Sequence, residues 1–150
     1  MPAAIAIRPL TLDDAAAVAA LSGDLGYPAD PAVMGARLSA LLGEAGHAVF
    51  GAAGADGALL GWVHVCARLL LIDSPSAFIE GLVVGSAARR GGVGRALMAA
   101  AEDWARAAGA GVVRLRSGAA RGEAHAFYRA LGYEDGKAAL GFEKALSPEG

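Results

Sequence analysis

The run RRGGVGR at positions 89–95 combines residue types that can hold a phosphate group. Its three glycines have no side chains that would keep a ligand away from the backbone amides. If a helix starts here, its first turn offers unpaired N–H groups and about half a positive charge. The three arginines add guanidinium groups suited to phosphate oxygens. The run therefore predicts a site for a phosphate or pyrophosphate.

Two common phosphate-binding motifs do not fit this run. A Walker loop requires G-x-x-x-x-G-K-[ST], and the sequence contains no Lys-Ser or Lys-Thr pair. The dinucleotide pattern G-x-G-x-x-G fails because Leu97 stands where the last glycine is needed. The remaining pattern is R-x-x-G-x-G at 89–94. Alone this pattern is weak evidence for a phosphate site, but a strand predicted before it and a helix predicted after it make the evidence strong.

The elements around the run follow from hydrophobic periodicity and turn chemistry. The apolar stretch 76–84 predicts a strand before it, and helical spacing of apolar residues over 92–108 predicts an amphipathic helix after it. An Asp-Gly turn at 54–57 predicts a hairpin. Further helices are predicted within 11–26, 27–43 and 122–133, and further strands at 4–8, 47–53, 58–72, 112–117 and 139–146.

The predicted order is β-α-α-β-β-β-α-β-α-β, which is an α/β (α+β) fold with about four helices. A chain of 150 residues can bury roughly 70% of its unfolded surface in one core. No internal repeat or linker interrupts the pattern. We therefore expect a single domain over residues 1–150.

Composition and charge exclude several classes of function. Thirteen basic and fifteen acidic residues, with a net charge of -2, argue against a nucleic-acid or membrane-surface binder. The single cysteine, Cys66, excludes an internal disulfide and a cysteine-based zinc site, and three scattered histidines do not make a metal site. Apolar runs stay below the ~18 residues of a membrane span and no export signal is recognisable, so a bacterial cytoplasm is the expected location.

With these motifs in place, the sequence resembles the GNAT superfamily of acetyl-CoA-dependent N-acetyltransferases. The segment IRPLTLDDAAAVAAL is similar to the opening strand and helix of that family. FIEGLVVGSAARRGGVGRALM resembles its acetyl-CoA motif, and EAHAFYRALGY resembles its closing helix and strand. The resemblance implies a mixed, largely antiparallel sheet of six to seven strands.

The resemblance also implies direct transfer of an acetyl group from acetyl-CoA to a primary amine of a small molecule or a protein, in a ternary complex. The alternative is a non-catalytic acyl-CoA-binding or regulatory module of the same fold, which thioester turnover would distinguish. Family members often dimerise, so a homodimer stays open. No metal is implied.

The resemblance assigns a CoA contact to each part of the motif. Backbone amides in the run cradle the pyrophosphate, and the strand before it bonds the pantetheine arm. The residues so implied are Leu82, Val83, Val84, Arg89, Arg90, Gly91, Gly92, Val93, Gly94 and Arg95. The family often has an asparagine after the fifth strand, where this chain reads SGAARGEAH, so Ser117 and Arg121 are the candidates for that contact.

Acetyl transfer requires a neutral amine, a stabilised oxyanion and a proton for the departing thiolate. An alkylamine of pKa ~10.4 is only about 0.1% neutral near physiological pH, so a base or a water chain must remove a proton. Glu80 is the candidate base, because period-2 alternation puts this acid on one face with Phe78 and Leu82. An edge carboxylate paired with an arginine is the alternative.

The remaining catalytic roles come from the resemblance. It implies that the backbone N–H of Val84 holds the oxyanion. It also places Tyr128 beside the sulfur as the acid that protonates the thiolate. From the spacing alone, Tyr128 would be a core aromatic on its helix.

Acceptor contacts are the least specified by the sequence. His64 shares a strand face with Trp62, although a hydrogen-bonded core histidine is the favoured interpretation. His125 lies one turn before the candidate acid and is equally well an ordinary helix histidine. The candidate acceptor-binding residues are Tyr27, Trp62, His64 and His125.

Overall fold

The computed structural model describes residues 4–24, 26, 28–117 and 122–147. The chain divides into two compact units, Met1–Arg116 and Ser117–Gly150. Two predicted site residues, Tyr27 and Arg121, lie outside the described residues.

The first unit is built on a five-stranded sheet in chain order. Its first four strands are antiparallel, and the fifth runs parallel to the fourth. The sheet is therefore mixed and largely antiparallel, as predicted. The strands are β1 (Ala6–Pro9), β2 (His47–Ala53), β3 (Leu59–Arg68), β4 (Ser76–Val84) and β5 (Val112–Leu115).

Three helices of the first unit pack on this sheet. The helices are α1 (Ala15–Asp24), α2 (Pro31–Leu42) and α3 (Val93–Ala107). α3 packs mainly against β3, β2 and β4, and its side chains Leu97 and Met98 are almost fully buried. α1 and α2 contribute Val18 and Leu38 to a second cluster that also holds Val49. The sheet is thus covered by helices on both faces.

Polar side chains make hydrogen bonds at the starts of two helical segments. Asp30 caps α2, because its carboxylate accepts a hydrogen bond from the Val33 N–H at 2.8 Å. A 3-10 turn, Leu12–Asp14, precedes α1. Both carboxylate oxygens of Asp14 are bonded by Arg8 at 2.8 Å, and the Thr11 N–H adds a third bond. This network joins the end of β1 to the start of the helical region.

The predicted strand 58–72 ends early in the structure. The β3–β4 ladder closes with Arg68 opposite Ser76, so residues 69–75 must form the loop that joins the two strands. The side chains of Leu69, Leu71 and Ile72 are almost fully exposed there. An apolar run therefore does not extend a strand beyond the reach of its partner.

The prediction of a strand at 139–146 was wrong. The second unit contains one helix, α4 (Gly122–Ala130), and residues 133–147 form no helix or strand. Leu140, Phe142 and Leu146 are 84–93% exposed. A strand needs a neighbour that supplies its backbone hydrogen bonds, and the described residues of the second unit, taken by itself, include no other strand. The described sheet accordingly has five strands instead of the expected six to seven.

Candidate active site

The loop between β4 and α3 presents backbone amides at the start of the helix. Gly92 is the N-cap residue and has a φ of +85°, a left-handed conformation that favours glycine. The first intrahelical bond runs from the Ala96 N–H to the Gly92 carbonyl at 3.0 Å. The N–H groups of Val93, Gly94 and Arg95 therefore precede the helical ladder. No side chain caps this helix, and its first turn holds no acid.

The arginines of the loop add positive charge at the same place. Arg89, Arg90 and Arg95 are exposed, and none of them takes part in the ion pairs found among the described residues. Arg90 has a φ of 67°, which is unusual for a residue other than glycine. Unpaired amides and unpaired guanidinium groups together make the N-terminus of α3 a site that suits phosphate.

β4 contains a bulge in the middle of its length. His64 of β3 lies opposite Gly81, whereas Val65 lies opposite Ile79, so Glu80 is the extra residue. The pairing of β4 with β5 also stops here, at Ile79 opposite Leu115. From Glu80 to Val84 the outer edge of β4 has no ladder partner in the part of the chain that the structure describes. Its backbone groups can bond an extended ligand arm.

The bulge changes the face on which one predicted neighbour lies. Leu82 stands opposite Val63, on the α3 side of the sheet, whereas Phe78 stands opposite Cys66, on the other side. Glu80 contacts Cys66 and therefore shares its face with Phe78. The expectation that Leu82 shares that face was wrong, because the extra residue shifts the alternation by one position.

The carboxylate of Glu80 is held at one of its two oxygens. Arg68 Nη2 donates to Oε1 at 2.9 Å, and Cys66 Sγ lies 3.5 Å from the same oxygen. The arginine pairing that the sequence left as an alternative is therefore present. Glu80 Oε2 has no hydrogen bond within the described ranges, and the side chain is 36% exposed. One oxygen thus remains available to an incoming amine.

Two histidines meet on the same face of the sheet. His47 Nδ1 and His64 Nε2 are 2.9 Å apart, so one ring donates a hydrogen bond to the other. Burial lowers the pKa of His64, the charge of His47 lowers it further, and Glu80 opposes both effects. From the sequence, no role was assigned to His47. The predicted hairpin was the one available signal, because pairing its two strands brings His47 opposite Cys66 and so close to His64.

Trp62 and Cys66 complete this face. A Cβ atom at Gly81 would lie 3.0 Å from two ring atoms of Trp62, so the glycine allows the indole to cover the strand. The indole N–H is buried and has no hydrogen-bond partner among the described residues. Burial is the largest cause of the raised pKa of the Cys66 thiol, which disfavours a nucleophilic role.

The second unit carries the remaining predicted residues. α4 holds Tyr128 and His125, and Ser117 is the first residue of this unit. The ring of Tyr128 contacts those of Phe127 and Tyr133 edge-on, with centroids 5.2 and 6.0 Å apart. The Tyr133 N–H also donates to the Tyr128 carbonyl at 3.0 Å. These contacts all lie within the second unit.

The described residues include neither a membrane-spanning helix nor a cluster of metal ligands. No helix among them is both long enough and apolar enough for a membrane crossing. They also contain no group of three or more His, Cys, Asp or Glu side chains that could hold a metal ion.

Sequence comparison identifies relatives of known type. The profile of the acetyltransferase (GNAT) family matches residues 17–133. The aminoglycoside N(6')-acetyltransferase type 1 of Stenotrophomonas maltophilia is 37% identical over 146 residues. That alignment covers 95% of this chain and 94% of the relative.

Solved structures share the fold. The aminoglycoside 6'-N-acetyltransferase AAC(6')-Ih from Acinetobacter baumannii has a TM-score of 0.83 at 22% identity, covering 96% of this chain and 100% of that one. AAC(6')-Iy, solved in complex with the bisubstrate analogue CoA-S-monomethyl-acetylneamine, also has a TM-score of 0.83 at 22% identity, covering 95% and 99%. At these identities the likeness shows the fold alone.

Proposed function

This chain belongs to the GNAT acetyltransferase family and transfers an acetyl group from acetyl-CoA to an amine, and we propose that the amine is the 6'-amino group of an aminoglycoside. The observation that carries the proposal is the likeness to the enzyme of Stenotrophomonas maltophilia, which extends over nearly the whole of both chains. The same extent supports one acetyltransferase domain over residues 1–150.

The cosubstrate fits the loop and strand edge described above. The amides at the start of α3 and the exposed arginines would hold the pyrophosphate. The open edge of β4 from Glu80 to Val84 would bond the pantetheine arm through backbone groups. When bound, acetyl-CoA supplies the activated thioester. Ser117 and Arg121 stay candidates for a further CoA contact.

Three groups of the chain have separate roles in acetyl transfer. Glu80 removes a proton from the acceptor ammonium, directly or through water, and its unbonded Oε2 supports this role. The backbone N–H of Val84 stabilises the oxyanion. Tyr128 donates a proton to the departing thiolate, a role that rests on the family resemblance. Transfer is direct, which agrees with the buried thiol of Cys66.

The acceptor is expected on the face that carries Trp62 and His64. Trp62 lies beside Gly81 next to the bulge, and His64 stands opposite the same glycine. Glu80 adds the negative charge that attracts a cationic amine. Tyr27 and His125 remain further candidates for acceptor contacts.

The proposal is tested by acetylation assays with a matched pair of aminoglycosides that differ at the 6' carbon, one carrying an amine and the other a hydroxyl. Thiol release from acetyl-CoA should occur with the amine and fall to background with the hydroxyl. Equal rates with both compounds would place the reaction at another amine. A peptide panel covers the alternative of a protein acceptor, and turnover only with peptides would overturn the proposal.

Location and assembly are part of the same proposal. We place the enzyme in the bacterial cytoplasm, where acetyl-CoA is made, and the bacterial source of the relatives supports this. The resemblance leaves a homodimer open, which sedimentation at assay concentration would test. A metal ion is not part of the proposed mechanism.

A further inference from the structure

Arg68 makes two contacts at the bulge of β4. Its Nη2 atom donates to Glu80 Oε1 at 2.9 Å. Its guanidinium carbon lies 3.7 Å from the centre of the Phe78 ring, which is a cation–π arrangement. Arg68 is the last residue of β3, and Phe78 and Glu80 are neighbours on one face of β4. The arginine is therefore fixed at the ring and at the carboxylate at once.

We propose that Arg68 is a positioning residue that aims the catalytic carboxylate of Glu80 at the acceptor amine. The proposal rests on the proposed role of Glu80 as the base. Both hydrogen bonds recorded for this carboxylate use Oε1, and within the described residues Oε2 accepts none. Holding one oxygen restricts rotation of the side chain and leaves the other oxygen to face the acceptor.

The chemistry of the arginine suits this role. A guanidinium stays protonated throughout the pH range of the enzyme, so Arg68 cannot take the proton that Glu80 removes from the amine. Glu80 sits in a bulge, where the ladder with β3 does not hold its backbone in register. A side chain at an irregular position needs an outside contact to define its direction. Arg68 supplies it from the facing strand.

A purely structural role makes a different prediction. The side chains of Arg68 and Glu80 are 41% and 36% exposed, and ion pairs at that exposure contribute little to stability. Their loss would then leave both folding and turnover nearly unchanged. A positioning role predicts loss of kcat with little change in the affinity for acetyl-CoA.

The chain offers a matched control. Arg114 Nη2 bonds Asp73 Oδ2 at 2.9 Å, with side chains 39% and 46% exposed. This pair has the same chemistry and nearly the same exposure as the Arg68–Glu80 pair. Arg114→Met should therefore keep wild-type turnover.

The experiment measures kcat and KM for the best acceptor of an amine panel in Arg68→Met, Arg68→Lys, Glu80→Gln and the double variant Arg68→Met/Glu80→Gln. Calorimetry with acetyl-CoA and urea unfolding verify that each variant is folded. Arg68→Met is expected to lower kcat about tenfold or more, and Arg68→Lys to recover part of it. In the Glu80→Gln background, Arg68→Met should change kcat less than about twofold, because the two residues act as one unit.

The kinetic results that would contradict the proposal can be told apart. If Glu80→Gln loses turnover while Arg68→Met stays within twofold of the wild type, the positioning role is wrong and the base assignment stands. If the effects of the two substitutions multiply, Arg68 acts without Glu80 and the proposal is overturned. Wild-type turnover in Glu80→Gln would overturn the base assignment and this proposal with it.

Discussion

Glu80 is held at Oε1 by Arg68 and Cys66, which both lie on the facing strand β3. In the sequence, its apolar neighbours identify this acid. Its face could be assigned only in part, because a bulge follows from the pairing of two strands and not from the pattern of one. The same holds for the His47–His64 contact, which depends on the register of β2 with β3.

Tyr128→Phe tests the acid of the proposed mechanism. The variant keeps the ring, and with it the contacts to Phe127 and Tyr133. Because general acid catalysis typically contributes about 10²-fold or more, kcat should fall about 100-fold while acetyl-CoA affinity stays unchanged. Steady-state assays and calorimetry measure both quantities. Tyr133→Phe is the control and should lose less than about twofold, whereas a wild-type rate in Tyr128→Phe would remove this tyrosine from the mechanism.

His64 should make stability depend on pH. Its pKa in the folded protein lies below the ordinary value of ~6.5, so the unfolded chain binds more protons in the window beneath that value. The stability that neutral His64 contributes is therefore complete above pH ~6.5 and is lost as pH falls through the folded pKa. Urea unfolding at pH ~7.5 and ~5.5 should show a loss that is smaller in His64→Gln. An equal loss in both proteins would contradict this cause.

At the scale of elements, most of the fold was predictable because local signals agreed with packing. The glycine run, the helix after it and the strand before it all appear where the spacing placed them. The prediction of a strand at 139–146 was wrong because alternation of apolar residues shows that a segment could fit a sheet but does not identify the strand with which it would pair. The predicted end of β3 was wrong for a related reason, because β3 ends where its pairing with β4 ends.

The two ends of α3 provide a matched test of the phosphate site. Gly92 and Gly109 have φ values of +85° and +89°, and a Cβ atom at either would meet open space. A side chain at either position should cost about 1–2 kcal/mol of stability from the left-handed backbone. Gly92→Glu also brings a negative charge to the helix N-terminus.

The two variants should differ in affinity for the cosubstrate. Calorimetric titration with acetyl-CoA should show at least a tenfold weaker Kd in Gly92→Glu and a wild-type Kd in Gly109→Glu. Urea unfolding gives the stability of each variant. Equal affinities in the two variants would mean that the pyrophosphate lies elsewhere.

At the scale of the whole molecule, charge and composition excluded classes of partner and did not by themselves predict a ligand. A net charge of -2 argues against a general attraction of anions, so we expect phosphate contacts to be local, as at the start of α3. What composition could not predict is the division of the chain at Arg116. The proposed base lies in the first unit and the proposed acid in the second.

Acetyl-CoA should stabilise the protein by mass action. At a concentration about 100 times its Kd, a ligand that binds the native state alone adds about 2.7 kcal/mol. For a chain of this length, that corresponds to a rise in Tm of roughly 5–10 °C. Scanning calorimetry with and without acetyl-CoA measures the shift. In Gly92→Glu the same ligand concentration should give at most about half of the shift, because a tenfold weaker Kd leaves about 1.4 kcal/mol. A full shift in that variant would contradict the placement of the site.

The open edge of β4 should make the enzyme without ligand prone to aggregation. Along this edge the backbone groups have no ladder partner among the described residues, and such a row accepts any extended chain, including the same segment of a second molecule. Preparations stripped of nucleotide should therefore turn cloudy sooner during storage at 37 °C than those kept with acetyl-CoA. Light scattering over days would follow the difference.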